Sequence, residues 1–116
     1  MTRKILVAAI ALFVCSVASA NCMRETFGAT ICGQGPCANG HDGRVYCAAE
    51  RDGTAVMDGQ GGIVCGAGRC VQEVVSGQIV CSREPGGDAV RTLDGVSCLG
   101  GCEPATQAYC ERIMVE

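Results

Sequence analysis

The chain has 116 residues, among them seventeen glycines and eleven cysteines, no tryptophan, and a formal net charge of −3. An acidic chain without a run of Lys or Arg lacks the electrostatic footprint of a nucleic-acid or anionic-membrane binder, so neither partner is expected. Cysteine at this density in a small chain argues against a reduced cytosolic domain and for a disulfide scaffold.

The first element is an export signal. Arg3 and Lys4 form a positive n-region, Ile5 to Val17 an uncharged apolar stretch, and Ala18-Ser19-Ala20 supplies small residues at the −3 and −1 positions. This pattern predicts a cleaved signal peptide over residues 1–20, and its apolar stretch is short of the ~20 residues of a membrane span. Neither Val14 before Cys15 nor Asn21 before Cys22 is the small residue that precedes a lipidated cysteine. The expected location is periplasmic or secreted, with no membrane insertion once the signal is gone. Cleavage removes Cys15 and leaves ten cysteines, an even number that can pair completely.

Residues 21–116 read as one Cys-rich repeat domain. After a solitary Cys22 the cysteines come in triplets: Cys32, Cys37, Cys47, then Cys65, Cys70, Cys81, then Cys98, Cys102, Cys110. The first members stand 33 residues apart at each step. Such a period marks a repeated supersecondary unit, with units of approximately 28–61, 62–94 and 95–116. The last unit is shorter, as a terminal cap would be. Other positions recur with the cysteines: Ala55-Val56 matches Ala89-Val90, and Arg44-Val45-Tyr46-Cys47 matches Gln78-Ile79-Val80-Cys81.

Within the units, Asp42-Gly43, Asp52-Gly53, Ser76-Gly77 and Asp94-Gly95 are two-residue hairpin signals, with the glycine at positive φ. Short runs rich in Val, Ile, Thr and Tyr lie between them. Only Ala105 to Val115 is long enough for a helix without a Gly or Pro. The fold expected is all-β, a small disulfide-stapled meander of β-hairpins in about three repeats of roughly 33 residues. Sixteen Val, Ile and Leu residues follow the signal, a thin core for a chain of this length, so crosslinks must supply much of the stability.

The loops Cys32-Gly-Gln-Gly-Pro-Cys37, Cys65-Gly-Ala-Gly-Arg-Cys70 and Cys98-Leu-Gly-Gly-Cys102 are glycine turns with a cysteine at each end. Each triplet holds an odd number of cysteines, so a fully oxidised monomer needs at least one bond between repeats. The simplest scheme closes the loops as Cys32–Cys37, Cys65–Cys70 and Cys98–Cys102, with Cys22–Cys47 and Cys81–Cys110 joining the remainder. The competing scheme leaves the loops open and ties each loop cysteine to a neighbouring strand. Long closed loops stabilise more in the chain-entropy account, whereas nearby thiols meet first.

Thiolates are soft ligands for Cu(I) or Zn(II), so metal binding is the main chemical alternative. The spacings are not the Cys-x2-Cys of zinc knuckles, and His41 is the single histidine, so no metal ligand set is assigned. His41 beside Asp42 is a candidate base, but its turn setting alone explains its polarity. Ser76, Ser82 and Ser97 lie in no nucleophile-elbow context. The run Asp58-Gly-Gln-Gly-Gly-Ile63 is similar to one calcium β-roll repeat, yet it does not recur every nine residues. No catalytic residue and no cofactor is assigned.

On its Cys-Gly-x-Gly-x-Cys loops and the hairpin between them, the chain resembles small exported Cys-rich repeat proteins of bacteria without established function. It is similar in cysteine density to epidermal-growth-factor-like and Kazal modules, whose spacings it does not share. The resemblance carries over no functional residue. The reading is a non-enzymatic exported structural or binding protein of the bacterial envelope, its partner an envelope protein or a small ligand. The alternatives are a periplasmic metal or thiol buffer, and a protease inhibitor-like scaffold presenting Glu84-Pro-Gly-Gly-Asp88.

Overall fold

The computed structural model describes residues 21–115; the expected signal peptide lies outside them. β-Branched residues favour extended backbone, and glycine-containing turns interrupt each run after at most four strand residues. The strands in chain order are β1 (Asn21–Arg24), β2 (Thr30–Gly33), β3 (Cys37–Asn39), β4 (Val45–Ala48), β5 (Thr54–Met57), β6 (Ile63–Gly66) and β7 (Cys70–Gln72). They continue as β8 (Ile79–Ser82), β9 (Ala89–Thr92), β10 (Gly95–Cys98), β11 (Cys102–Pro104), β12 (Cys110–Glu111) and β13 (Ile113–Val115). The fold is all-β, without an α-helix among the described residues and with one 3-10 turn at Gln107–Tyr109. No helix among those residues is long and apolar enough to cross a membrane.

The pairing is more discontinuous than a meander. Five antiparallel hairpins follow in series: β1–β2, β3–β4, β5–β6, β7–β8 and β9–β10. Successive hairpins do not pair with each other. Their added strands come from the C-terminal segment, which runs back along the molecule as a strap. β11 lies on β8, Thr106 bridges Cys65 in β6, β12 lies on β4, and β13 lies on β2. The window Ala105–Val115 is therefore extended apart from its 3-10 turn. Its backbone is recruited by strand edges: Ala105 N–H donates to Ile79 O at 2.9 Å, and Cys65 N–H donates to Thr106 O at 2.9 Å. These long-range bonds override the local absence of helix breakers.

Three of the expected turns lie between paired strands, at Asp42-Gly43, Ser76-Gly77 and Asp94-Gly95, with φ of 84°, 75° and 137° at their glycines. Asp52-Gly53 is different. It joins β4 to β5, which do not pair, and Gly53 is not at positive φ. A side chain on Gly53 is excluded instead by the carbonyl of Gly66, which would overlap its Cβ. The β5–β6 turn is made by Asp58–Gly62, where Gly61 takes φ of 90°.

The element order recurs, with the β3–β4 hairpin repeated as β7–β8 and β5–β6 as β9–β10, and the β5–β6 and β9–β10 hairpins each run across an expected boundary between units. The third stretch departs from it, because β11 and β12 pair with β8 and β4 rather than with each other. The core is small and sulfur-rich. Ile31, Val45 and Cys47 form one buried cluster, joined by the half-buried Cys37. Ala48, Ile63 and Cys65 form a second, covered by Tyr46, Ala55, Tyr109 and Cys110.

Candidate functional site

The ten cysteines among the described residues occupy five disulfides. Strand register creates three of them: Cys22 faces Cys32, Cys37 faces Cys47 and Cys70 faces Cys81, with Cα separations of 4.0, 3.8 and 3.9 Å. Cys98–Cys102 closes its glycine loop, as the simplest scheme has it. Cys65–Cys110 joins unit two to the strap across 45 residues. The expected Cys32–Cys37, Cys65–Cys70, Cys22–Cys47 and Cys81–Cys110 bonds are not formed. The physical reason is that hairpin register sets Cys32, Cys37 and Cys70 opposite Cys22, Cys47 and Cys81, while Cys65 is taken by Cys110 of the strap. Cys32 thus belongs to the β1–β2 hairpin and Cys37 to β3–β4.

The glycine after the first cysteine of each full unit makes this possible. A Cβ on Gly33 would overlap Cys47 Cβ, and one on Gly66 would overlap the Cys81 side chain while standing 3.0 Å from Cys70 Sγ. Each glycine thus holds open the space for the next hairpin's disulfide. The third unit has Leu99 at this position. There the chain turns through Gly100 and Gly101, at φ of 75° and 100°, and closes Cys98–Cys102 locally.

A polar cluster that sequence reasoning missed pins the strap to the N-terminal turn. Arg112 Nη2 donates to Glu25 Oε2 at 2.8 Å, and Val45 N–H donates to the same carboxylate at 2.8 Å. The guanidinium also lies 5.5 Å from the Tyr46 ring centroid. The Glu25 and Arg112 side chains are 9% and 24% exposed, so solvent screens the pair only partly. Arg112→Ala leaves Glu25 half-satisfied in a dry setting and should cost about 2 kcal/mol. Denaturant unfolding measures it; a loss no larger than that of the exposed Arg44→Ala would remove the pair from the account.

At the middle of the strap, Tyr109 Oη donates to Glu103 Oε2 at 2.9 Å. This hydrogen bond, followed by desolvation and the Glu103 charge, raises the Tyr109 pKa above its ordinary 10.0, with Arg83 opposing. The native state then holds the phenolic proton more tightly than the unfolded chain. That contribution is present below pH 10 and is lost as pH rises through the folded value. Glu103→Gln should lower the midpoint of the Tyr109 phenolate absorbance titration, with Tyr109→Phe identifying the signal. An unchanged midpoint would count against the hydrogen bond.

The remaining chemical candidates are dispersed. His41 is exposed in the β3–β4 turn, where its N–H donates to Gly61 O at 2.9 Å and its ring covers Gly61. Asp42 accepts from Arg44 N–H at 3.0 Å, which turns it toward its own loop. Asp58 Oδ1 accepts from the N–H groups of Gln60 and Gly62, so the sequence that resembled a calcium loop uses its carboxylate to close a turn. Ser76 donates to Glu73 Oε1 at 2.8 Å, while Ser82 is fully buried and donates to Leu99 O. In the Glu84–Asp88 loop, Gly86 N–H donates to Ala67 O and Gly87 O accepts from Arg69 N–H, leaving Glu84 to Gly86 exposed. Among the described residues, no group of three or more His, Cys, Asp or Glu side chains is placed to hold a metal.

Two of the clefts on the described surface lie beside hairpin turns. One, of about 350 Å³, runs between the Asp58–Gln60 turn, Val64, Gln78–Ile79 and Ala105. The other, of about 190 Å³, lies between the tips of the β7–β8 and β9–β10 hairpins and is lined by Glu73, Val74, Val75, Arg91, Leu93 and Asp94, among others. Comparison with protein-family models, with curated proteins and with solved structures gives no match.

Proposed function

We propose that this is a non-enzymatic, exported structural or binding protein of the bacterial envelope, working in the periplasm or outside the cell. A small β-protein with five disulfides fits an oxidising compartment. The observation that carries the proposal is the use of the cysteines. All ten between Cys22 and Cys110 are spent on crosslinks, three of them between strand partners set face to face. Disulfide sulfur offers neither the thiolate that copper or zinc requires nor a nucleophile, which counts against a metal or thiol buffer. What the crosslinks leave is a rigid stack of hairpins whose turns face solvent, a suitable scaffold for presenting loops. Thiol titration with metal analysis on protein purified from the periplasm or medium tests this. No free thiols and no stoichiometric metal is the expected result; several thiols with bound copper or zinc would overturn the proposal.

A further inference from the structure

The two full repeats provide an internal comparison that singles out one surface. In unit one the β3–β4 turn, Gly-His-Asp-Gly, rests on the β5–β6 turn through the His41 N–H to Gly61 O bond at 2.9 Å. In unit two the corresponding β7–β8 turn is Glu-Val-Val-Ser-Gly, and the β9–β10 turn is Leu93-Asp94. Its backbone bonds close on themselves, Glu73 N–H to Gln78 O and Gly77 N–H to Glu73 O. Arg91 Nε to Gln72 O, at 2.7 Å, ties the two hairpins below their tips. Between the tips lies the 190 Å³ cleft.

The side chains at these tips break the ordinary rule for turns, which favours Gly, Asn, Asp and Ser. Val74, Val75 and Leu93 are 78%, 95% and 105% exposed. Single exposed aliphatics are common, but three gathered on one cleft, where the sister repeat has a polar closed contact, mark an interaction surface. The charges say what it would take. Glu73 and Asp94 flank the apolar tips, and neither is in an ion pair among the described residues. The one cation in the cleft, Arg91, already donates to the Gln72 carbonyl. Seven arginines against twelve acids follow the signal, so a second copy or an anionic lipid surface meets like charge.

We propose that the cleft between the β7–β8 and β9–β10 tips docks a short segment of a partner polypeptide in which aliphatic side chains stand next to lysine or arginine. This rests on the binding-scaffold reading above and gives it a site and a class of partner. The aliphatics of the segment cover Val74, Val75 and Leu93, and its cations meet Glu73 and Asp94, setting specificity and salt dependence.

The test is a random displayed-peptide library selected on the oxidised protein and counter-selected on a Val75→Ser/Leu93→Ser variant. Both positions are exposed, so the variant keeps the fold, which its amide spectrum checks. Enriched peptides should alternate aliphatic and basic residues and shift the amides of residues 73–75 and 91–95. The double variant should bind them at least tenfold more weakly, and Glu73→Gln/Asp94→Asn severalfold more weakly with a flatter salt dependence. An acidic consensus, equal binding to the double variant, shifts elsewhere, or self-association through these tips would each overturn the proposal. No enrichment on protein whose ten cysteines are all oxidised overturns the cleft and leaves the scaffold standing. Free thiols with bound metal in that preparation overturn the scaffold itself.

Discussion

Replacing Cys65 and Cys110 together by alanine should destabilise the protein more than removing any other disulfide. The bond closes a loop with a sequence separation of 45, against 10 or 11 for the three hairpin bonds and 4 for Cys98–Cys102. Loop-closure entropy alone then assigns it about 4 kcal/mol, the hairpin bonds just under ~3 and the shortest ~2. Packing adds to the difference, since Cys65 is fully buried between Ala48 and Ile63, and Cys110 covers that cluster. For a domain of this size the loss corresponds to roughly 15–30 °C in Tm. It should also release the strap, so that amides paired across the β4–β12 and β2–β13 ladders exchange faster while those within the β7–β8 hairpin stay protected. Thermal unfolding of the pairwise Cys→Ala variants decides the ranking. If Cys98→Ala/Cys102→Ala shifts Tm as far, the strap bond is not what holds the repeats together.

Gly66→Ala is expected to be strongly damaging, although it adds only one methyl group. Its Cβ would stand 2.5 Å from Cys81 Cβ and 3.0 Å from Cys70 Sγ, contacts that a buried disulfide cannot vacate. Overpacking of this kind costs ~2–3 kcal/mol or more. The expected chemical signature is unpaired Cys70 and Cys81 thiols after oxidative refolding, read by alkylation and mass spectrometry. Gly33→Ala should follow the same course at Cys47, while Gly59→Ala, with nothing within 4 Å of its Cβ, should change stability by less than ~0.5 kcal/mol. Equal effects at Gly66 and Gly59 would show that the Cys-Gly dipeptide is not a packing device.

The β class, the small disulfide framework and most of the turns were legible in the sequence, because turn glycines and β-branched runs act locally. The pairing was partly legible, in a signal that loop proximity obscured. Asp42-Gly43 lies midway between Cys37 and Cys47, and Ser76-Gly77 lies between Cys70 and Cys81, so a hairpin folded at either turn sets its two cysteines opposite each other. Short-loop reasoning holds for Cys98–Cys102 but instead joined Cys32 to Cys37 and Cys65 to Cys70, cysteines that hairpin register or the strap gives to other partners. Nothing local announces the strap. Ile113 opposite Cys32, or Arg112 on Glu25 across 87 residues, follows from which edges the hairpins leave open once they have formed. The apolar cleft was hidden for a related reason. Val74, Val75 and Leu93 look like strand residues until the turns place them at the tips.

The strap also acts as a ruler. Cys32 and Cys65, 33 residues apart, face Ile113 and Thr106, which are 7 apart; Cys47 and Cys81, 34 apart, face Glu111 and Glu103, which are 8 apart. Each step of 33 or 34 residues along the body is thus matched by seven or eight residues of tail running the opposite way. Duplicating a repeat without lengthening the tail would leave a β-edge bare, and lengthening the tail alone would leave it without an edge to pair. Copy number in this architecture is therefore a property of two distant segments at once, and a change in one is accommodated only by a change in the other.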